Sequence, residues 1–142
     1  MVNVHSIRFT EVSDIRGNLS AIESNRDVPF ELKRIYYITG VPQGIDRGFH
    51  SHYNLQQVLL CLNGSVTIRV ESDVLESHVL SDPADGLYIG PMVWREMAEF
   101  SDQAVLLVLA SEYYNESDYI RDYNVFRSEA DKYLKDLRER EE

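Results

Sequence analysis

Residues 44–64 carry the strongest structural signal in the sequence and read GIDRGFHSHYNLQQVLLCLNG. His50 and His52 are two residues apart, and such residues point to the same face of a β-strand. The two imidazoles are therefore expected to project into one cavity. The structural alternative is a pair of ordinary polar residues on a solvent-exposed face.

Short β-type segments separated by turn signals surround this stretch. Val66, Ile68 and Val70 alternate with polar residues, as in a half-buried strand. The dipeptide Asn63-Gly64 accepts the positive φ values of a type I′ turn, so residues 56–71 are predicted to form a hairpin. Further strands are predicted at residues 6–9, 18–23, 33–39, 74–80, 86–89 and 104–110. For the last run, periodicity alone leaves a buried helix as the alternative.

The end of the chain has a helical pattern. Ser128 and Asp131 resemble a capping box, which predicts a helix from Ser128 to about Arg140. Its apolar stripe consists of Ala130, Tyr133, Leu134 and Leu137. Because no long amphipathic helix separates the strands, we predict an all-β sandwich or barrel with this short C-terminal helix. Residues 1–142 are expected to form a single domain.

The composition restricts the partners of the protein. The formal net charge of −10 argues against nucleic acid, since phosphate backbones require a basic face. The longest apolar run, residues 104–110, is too short to cross a bilayer, and the opening residues do not have the pattern of a signal peptide. Cys61 is the only cysteine and is expected to be a buried thiol. We therefore expect a cytoplasmic protein that does not bind a membrane.

The histidine stretch resembles the first cupin motif. The matching positions are Gly44, His50, His52, Gln57 and Gly64, with Gln57 where that motif has a glutamate. The second motif should fall near Gly86–Glu96, where Pro91 is present and the ligand histidine is not. Catalytic metals normally have three protein ligands, so we expect no metal. The alternative is that Glu96 replaces the missing ligand. Without a metal, the two histidines are candidates for acid–base chemistry.

Over residues 14–126 the chain resembles the dTDP-4-keto-6-deoxyglucose 3,4-ketoisomerases. The matching segments are Arg16-Gly17, Pro29-Phe30, Lys33 to Ile38, Arg47 to His52, Gly86 to Pro91, Trp94 to Met97, Val108 to Tyr114 and Asp118 to Tyr123. The resemblance implies a cupin-type jelly-roll barrel that acts on a dTDP-linked keto sugar without metal or cofactor. It also implies a homodimer with exchanged or shared strands.

The resemblance and the strand pattern together indicate candidate catalytic residues. His50 is predicted to be the base that removes the C3 proton, and His52 to orient the substrate or shuttle the hydroxyl proton. Arg34, Tyr36 and Ile38 share one face of the strand at residues 33–39. The resemblance places Tyr36 in the site, where its phenol would stabilise oxygen charge. The alternative for Tyr36 is a packing aromatic.

Arginines are the expected partners of the diphosphate, because guanidinium suits bidentate phosphate contact. Arg16, Arg34, Arg47 and Arg95 lie in or beside the matching segments. In a regular strand Arg47 would point away from His50, which weakens its assignment. Trp94 is a candidate to stack on thymine, with a buried structural tryptophan as the alternative.

The sequence leaves the stereochemistry and the class of function open. Arg16-Gly17 resembles the branch that forms the 3-keto-6-deoxy-galactose product, which we favour over the gluco epimer. The alternative is a simple turn before Asn18. A metal-dependent cupin enzyme and a non-catalytic sugar-nucleotide-binding cupin remain the other hypotheses.

Overall fold

The structure is a computed structural model and describes residues 1–141. In chain order the elements are β1 (Val4–Arg8), β2 (Val12–Asp14), β3 (Gly17–Leu19), β4 (Arg34–Ile38), β5 (Arg47–His52), β6 (Gln57–Asn63), β7 (Val66–Glu71), β8 (Leu75–Leu80), β9 (Asp85–Ile89), β10 (Trp94–Ala98), β11 (Val105–Ala110), a 3-10 turn (Glu116–Asp118), β12 (Tyr119–Ile120) and α1 (Tyr123–Glu141).

Within residues 1–141 the strands form two five-stranded antiparallel sheets and a separate ribbon. The first sheet has the order β1-β9-β6-β11-β4, and the second has the order β12-β5-β10-β7-β8. Strands β2 and β3 pair with each other as the ribbon. The predicted all-β fold with a C-terminal helix is confirmed, and its strands lie in two separate sheets rather than in one closed barrel.

The main core lies between the two sheets. On β6, Leu59 and Cys61 point inward and pack in the same cluster as Ile68 of β7. The alternate residues Val58 and Leu60 pack on the other face of their sheet, in a cluster with Val28. Because both faces of β6 are buried, this strand is apolar almost throughout.

The predicted hairpin at residues 56–71 is wrong. Strand β6 pairs with β9 and β11, whereas β7 pairs with β8 and β10 in the opposite sheet. A type I′ turn needs a positive φ at both central residues, but of Asn63 and Gly64 only Gly64 has one, at 72°. The dipeptide therefore carries the chain across the core from one sheet to the other. The apolar faces of β6 and β7 pack against each other there.

Two predicted boundaries also change. The strand predicted at residues 18–23 ends at Leu19, where the ribbon ends. The C-terminal helix begins at Tyr123 instead of Ser128, because the Asp122 carboxylate accepts hydrogen bonds from the backbone N–H groups of Asn124 and Val125. The predicted apolar stripe is confirmed, since Ala130 and Leu134 are buried. Within the described residues, no helix has the length and apolar character needed to cross a membrane.

Candidate functional site

A bulge in β5 places the histidines. His50 pairs with Arg95 and Gly48 pairs with Glu96, so Phe49 between them is left out of the ladder. Both bulge residues have a positive φ, 92° at Gly48 and 60° at Phe49. The extra residue reverses the side-chain alternation. Arg47 therefore lines the same cavity as His50, and the regular-strand argument against Arg47 does not apply.

Two cavities open beside β5. The first, here called the His50 cavity, has a volume of about 400 Å³, and its walls include Arg34, Tyr36, Arg47, His50, Tyr119 and Arg121. The second, the His52 cavity, has a volume of about 430 Å³, and its walls include Arg34, His52, Asn54, Tyr114, Asp118 and Tyr119. The two cavities share a wall made by Arg34, Tyr114 and Tyr119. Together they offer adjoining compartments for a ligand with two parts.

His50 has the state that a general base requires. Burial lowers its pKa to about 4, with the positive charge of Arg95 as the second cause. At neutral pH the imidazole is therefore uncharged and able to accept a proton. Its ring lies edge-on to that of His52, with the ring centres 5.0 Å apart.

His52 is held by a carboxylate. Its Nδ1 lies 3.2 Å from Oδ2 of Asp118, and the side chain of His52 is 1% exposed. Asp118 is itself fixed by the backbone N–H groups of Asn54 and Leu55. Burial lowers the pKa of His52 to about 2, so the ring is neutral. A carboxylate only accepts hydrogen bonds, so Nδ1 carries the proton and Nε2 is left as an acceptor.

A buried polar chain runs beneath the His50 cavity. Arg95 is fully buried; its Nη1 donates to Oε1 of Gln57 at 2.8 Å, and its Nη2 donates to the carbonyl oxygen of Val93. Nε2 of Gln57 donates in turn to the hydroxyl of Tyr36 at 3.1 Å. Burial lowers the pKa of Arg95 to about 10 and raises that of Tyr36, so both groups keep their protons at neutral pH.

The hydrogen-bonded side chains of Arg95, Gln57 and Tyr36 do not fit the metal ion of metal-binding cupins. Gln57, at the position of the usual glutamate ligand, is bonded to a cation. A buried guanidinium beside two histidines repels a second cation. Among residues 1–141, no cluster of three or more His, Cys, Asp or Glu side chains is placed to hold a metal ion. The residues present therefore suit acid–base chemistry better than metal binding.

Positive charge lines the His50 cavity. The Arg34 guanidinium lies over the ring of Tyr36 and that of Tyr114, and its buried Nε has no hydrogen-bond partner among the described residues. Arg121, which the sequence did not suggest, stacks on Tyr119 and donates to Glu116. Arg34 and Arg47 are thus available to an anionic ligand, whereas Arg121 is already paired with Glu116.

Three predicted binding residues lie away from both cavities. Arg16 is exposed in the ribbon and pairs with Asp14. Trp94 packs against Tyr123 and Phe126 of the helix segment, because strand alternation turns it to the face opposite Arg95. Arg95 lies under the histidines, where it is sealed from solvent. These placements argue against thymine stacking by Trp94 and against direct diphosphate contact by Arg95.

Residues 2–131 match the family described as FdtA: WxcM-like, C-terminal. The chain is also 48% identical, over 122 residues, to the TDP-4-oxo-6-deoxy-alpha-D-glucose-3,4-oxoisomerase of Aneurinibacillus thermoaerophilus; the match covers 85% of this chain and 88% of the relative. The chain belongs to the FdtA family of sugar 3,4-ketoisomerases. The resemblance inferred from sequence is confirmed, and the protein is an enzyme, a TDP-sugar ketoisomerase.

Two solved 3,4-ketoisomerases share this fold over most of the chain. A histidine-to-asparagine variant of the 3,4-ketoisomerase QdtA from Thermoanaerobacterium thermosaccharolyticum, in complex with TDP-4-keto-6-deoxyglucose, is 53% identical with a TM-score of 0.91. The match covers 93% of this chain and 96% of QdtA. The WlaRB TDP-quinovose 3,4-ketoisomerase from Campylobacter jejuni is 44% identical with a TM-score of 0.86, over 89% of this chain and 98% of that one.

Proposed function

We propose that the protein converts TDP-4-keto-6-deoxyglucose to a TDP-3-keto-6-deoxyhexose through an enediol. The observation that carries this proposal is a pair of neutral histidines, His50 partly buried and His52 buried, beside a protonated phenol in adjoining arginine-lined cavities. The C4 carbonyl acidifies the C3 hydrogen, so the reaction needs a base at C3 and a hydrogen-bond donor at the oxygen. No electrons enter or leave the substrate, and hence no redox cofactor is required.

Two protons move in this reaction, one between carbons and one between oxygens. His50 takes the proton from C3, which leaves an enediolate with its negative charge on the C4 oxygen. The proton of the C3 hydroxyl then passes to the C4 oxygen through Nε2 of His52, the nitrogen left free because Nδ1 faces Asp118. His50 returns its proton to C4, and the C3 oxygen becomes the carbonyl of the product. Tyr36 stabilises the developing oxygen charge by donating a hydrogen bond.

The diphosphate is proposed to bind to Arg34 and Arg47, joined by Arg121. All three line the His50 cavity, and guanidinium groups bind phosphate oxygens in pairs. The free Nε of Arg34 supports this role, because a buried donor without a partner costs stability unless a ligand satisfies it. The single buried cysteine remains in keeping with a reducing, cytoplasmic compartment.

We also propose that the working enzyme is a homodimer that exchanges strands. The ribbon of β2 and β3 pairs only with itself within the described chain, and it exposes Val12, Ile15 and Leu19 to solvent. A two-stranded ribbon is marginally stable alone and gains by packing on another chain. Such a dimer offers Arg16 a route to the cavity of the partner subunit, which it does not have within its own chain.

Turnover of TDP-4-keto-6-deoxyglucose, followed by proton NMR, tests the function. We expect the C3 proton signal to disappear and a 3-keto product to form. Unchanged substrate with retained TDP binding would instead support a non-catalytic sugar-nucleotide-binding protein.

The same spectra test the stereochemistry. We propose the galacto product, based on the resemblance of Arg16-Gly17 to the galactose-forming branch. The galacto sugar has an equatorial H4 and a small coupling between H4 and H5. A large H4–H5 coupling would identify the gluco epimer and overturn this choice, while leaving the ketoisomerase activity intact. The product then suits an aminating enzyme that makes a 3-amino-3,6-dideoxy sugar for surface glycans.

A further inference from the structure

Gln57 occupies the position at which metal-binding cupins have a glutamate, and its amide has a defined orientation. Nη1 of Arg95 lies 2.8 Å from Oε1 of Gln57. A guanidinium only donates hydrogen bonds, so the atom that faces Arg95 must be the amide oxygen. The amide nitrogen then faces the hydroxyl of Tyr36, at 3.1 Å. The side chain of Gln57 is buried, so its amide group has little freedom to rotate and exchange the positions of its oxygen and nitrogen.

This orientation fixes the role of the Tyr36 hydroxyl. The amide nitrogen carries hydrogens and only donates, so the phenol oxygen must be the acceptor in the bond to Gln57. The hydrogen of the phenol therefore points away from Gln57. Tyr36 lines the His50 cavity, and that hydrogen is free to serve a ligand there.

We propose that Gln57 is a positioning residue that makes Tyr36 a hydrogen-bond donor toward the sugar oxygen. This inference rests on the proposed ketoisomerase function and assigns Gln57 the role of orienting the Tyr36 hydroxyl in that reaction. Arg95, on the opposite sheet, donates to the amide oxygen of Gln57 and so fixes the amide's orientation. The amide nitrogen of Gln57 then donates to the hydroxyl of Tyr36 on β4. A glutamate at this position would have the reverse effect. Its carboxylate would pair with Arg95 and accept the phenol hydrogen, which would turn the donor away from the substrate.

The central test is the variant Gln57→Glu, which keeps the size of the side chain and changes a donor into an acceptor. We expect kcat to fall roughly 100- to 1,000-fold, as for the loss of one oxyanion donor, with little change in KM. Wild-type turnover of TDP-4-keto-6-deoxyglucose is measured first. Failure at that step would overturn the proposed function, whereas an active wild type with an equally active variant would overturn only the role of Gln57.

A double-mutant cycle separates positioning from a general structural effect. In the Tyr36→Phe background the hydroxyl is absent, so adding Gln57→Glu should change kcat by no more than about twofold. If the added change lowers kcat as strongly as it does alone, Gln57 acts by another route and the proposal is wrong. A shift of the acid limb of the pH–rate profile in Gln57→Glu would also contradict the proposal, because it would show that the variant acts on the histidines.

Gln56→Glu provides a matched control in the adjacent position. Oε1 of Gln56 accepts a hydrogen bond from the hydroxyl of Tyr88, and a carboxylate keeps that acceptor role. We expect near wild-type kcat for this variant.

Should Gln57→Glu fail to fold, Gln57→Met removes the donor without adding an acceptor. It should lower kcat in the wild-type background and not in the Tyr36→Phe background. Equal losses in both backgrounds would contradict the proposal.

Discussion

At the scale of single residues, the site depends on neutral histidines next to a fixed positive charge. Burial and the guanidinium of Arg95 both disfavour protonation of His50, which keeps the base available at neutral pH. His50 is also the more exposed of the two histidines, because His52 is buried at 1% exposure whereas His50 is only partly buried. These differences favour His50 over His52 as the group that reaches C3.

The first prediction concerns His50→Asn. We expect the rate to fall roughly 100- to 10,000-fold, the usual contribution of a positioned base, while TDP affinity is largely retained. Steady-state kinetics and calorimetric titration with TDP measure the two effects. Near wild-type turnover would mean that His50 is not the base. If His52→Asn alone abolishes the chemistry, the roles of the two histidines are exchanged.

A second prediction follows from the lowered pKa of His50. kcat/KM should stay level below pH 6.5, the ordinary histidine value, and should fall only as the pH approaches about 4, where His50 binds a proton. Histidines of the unfolded chain bind protons already below about pH 6.5, so acid also weakens the folded state over this interval. Circular dichroism at each pH distinguishes unfolding from loss of the base. An acid limb near pH 6.5 in folded enzyme would contradict the assignment.

A third prediction concerns Asp118, which orients His52. Asp118→Asn allows the imidazole to take the wrong tautomer, and we expect kcat to fall roughly 100-fold with a smaller change in KM. Asp131→Asn on the exposed face of α1 provides the control, and it should leave both constants unchanged. Equal kinetics for the two variants would remove Asp118 from the mechanism.

At the scale of elements, the bulge of β5 brings Arg47 and His50 to one cavity. Gly48 is suited to this position in two ways. Its φ is +92°, and a Cβ built there would lie 3.0 Å from the carbonyl oxygen of Arg95. The bulge thus depends on a residue without a side chain at the point where β5 passes β10.

Gly48→Ala tests the bulge. We expect a large loss of kcat/KM, because the added Cβ pushes β5 away from Arg95 and moves His50. Gly40→Ala is the matched control: it has a positive φ of +68° with nothing within 4 Å of its Cβ in the part of the chain described. The control should lose only the roughly 1–2 kcal/mol of left-handed strain and keep its activity. Similar activity in both variants would show that the bulge does not position the site.

The elements also explain what the sequence could predict. The period-2 patterns predicted most strands, the histidine motif suggested His50 and His52, and the resemblance suggested Tyr36. They did not identify Asp118, which lies 66 residues from His52 and meets it through the two-residue strand β12. A strand this short has no periodicity to detect. The segment Asp118 to Tyr123 was among the resembling segments, and that was the available signal for Asp118 and Arg121.

At the scale of the whole molecule, the exposed ribbon tests the proposed dimer. Light scattering should give the mass of two chains, and Ile15→Asp should shift the protein toward single chains with loss of activity. Val79→Asp places the same charge on β8, an exposed edge of the second sheet, and should leave the dimer intact. A wild-type protein that is active as a single chain would contradict this prediction.

The measurement that tests the metal-free acid–base mechanism most directly is turnover by chelator-treated enzyme in D₂O. We expect conversion of TDP-4-keto-6-deoxyglucose to a 3-keto product that carries deuterium at C4, because His50 exchanges its proton with solvent before returning one. Added divalent ions should not increase the rate. Loss of turnover on chelation, restored by a divalent ion, would contradict the proposed metal-free acid–base mechanism.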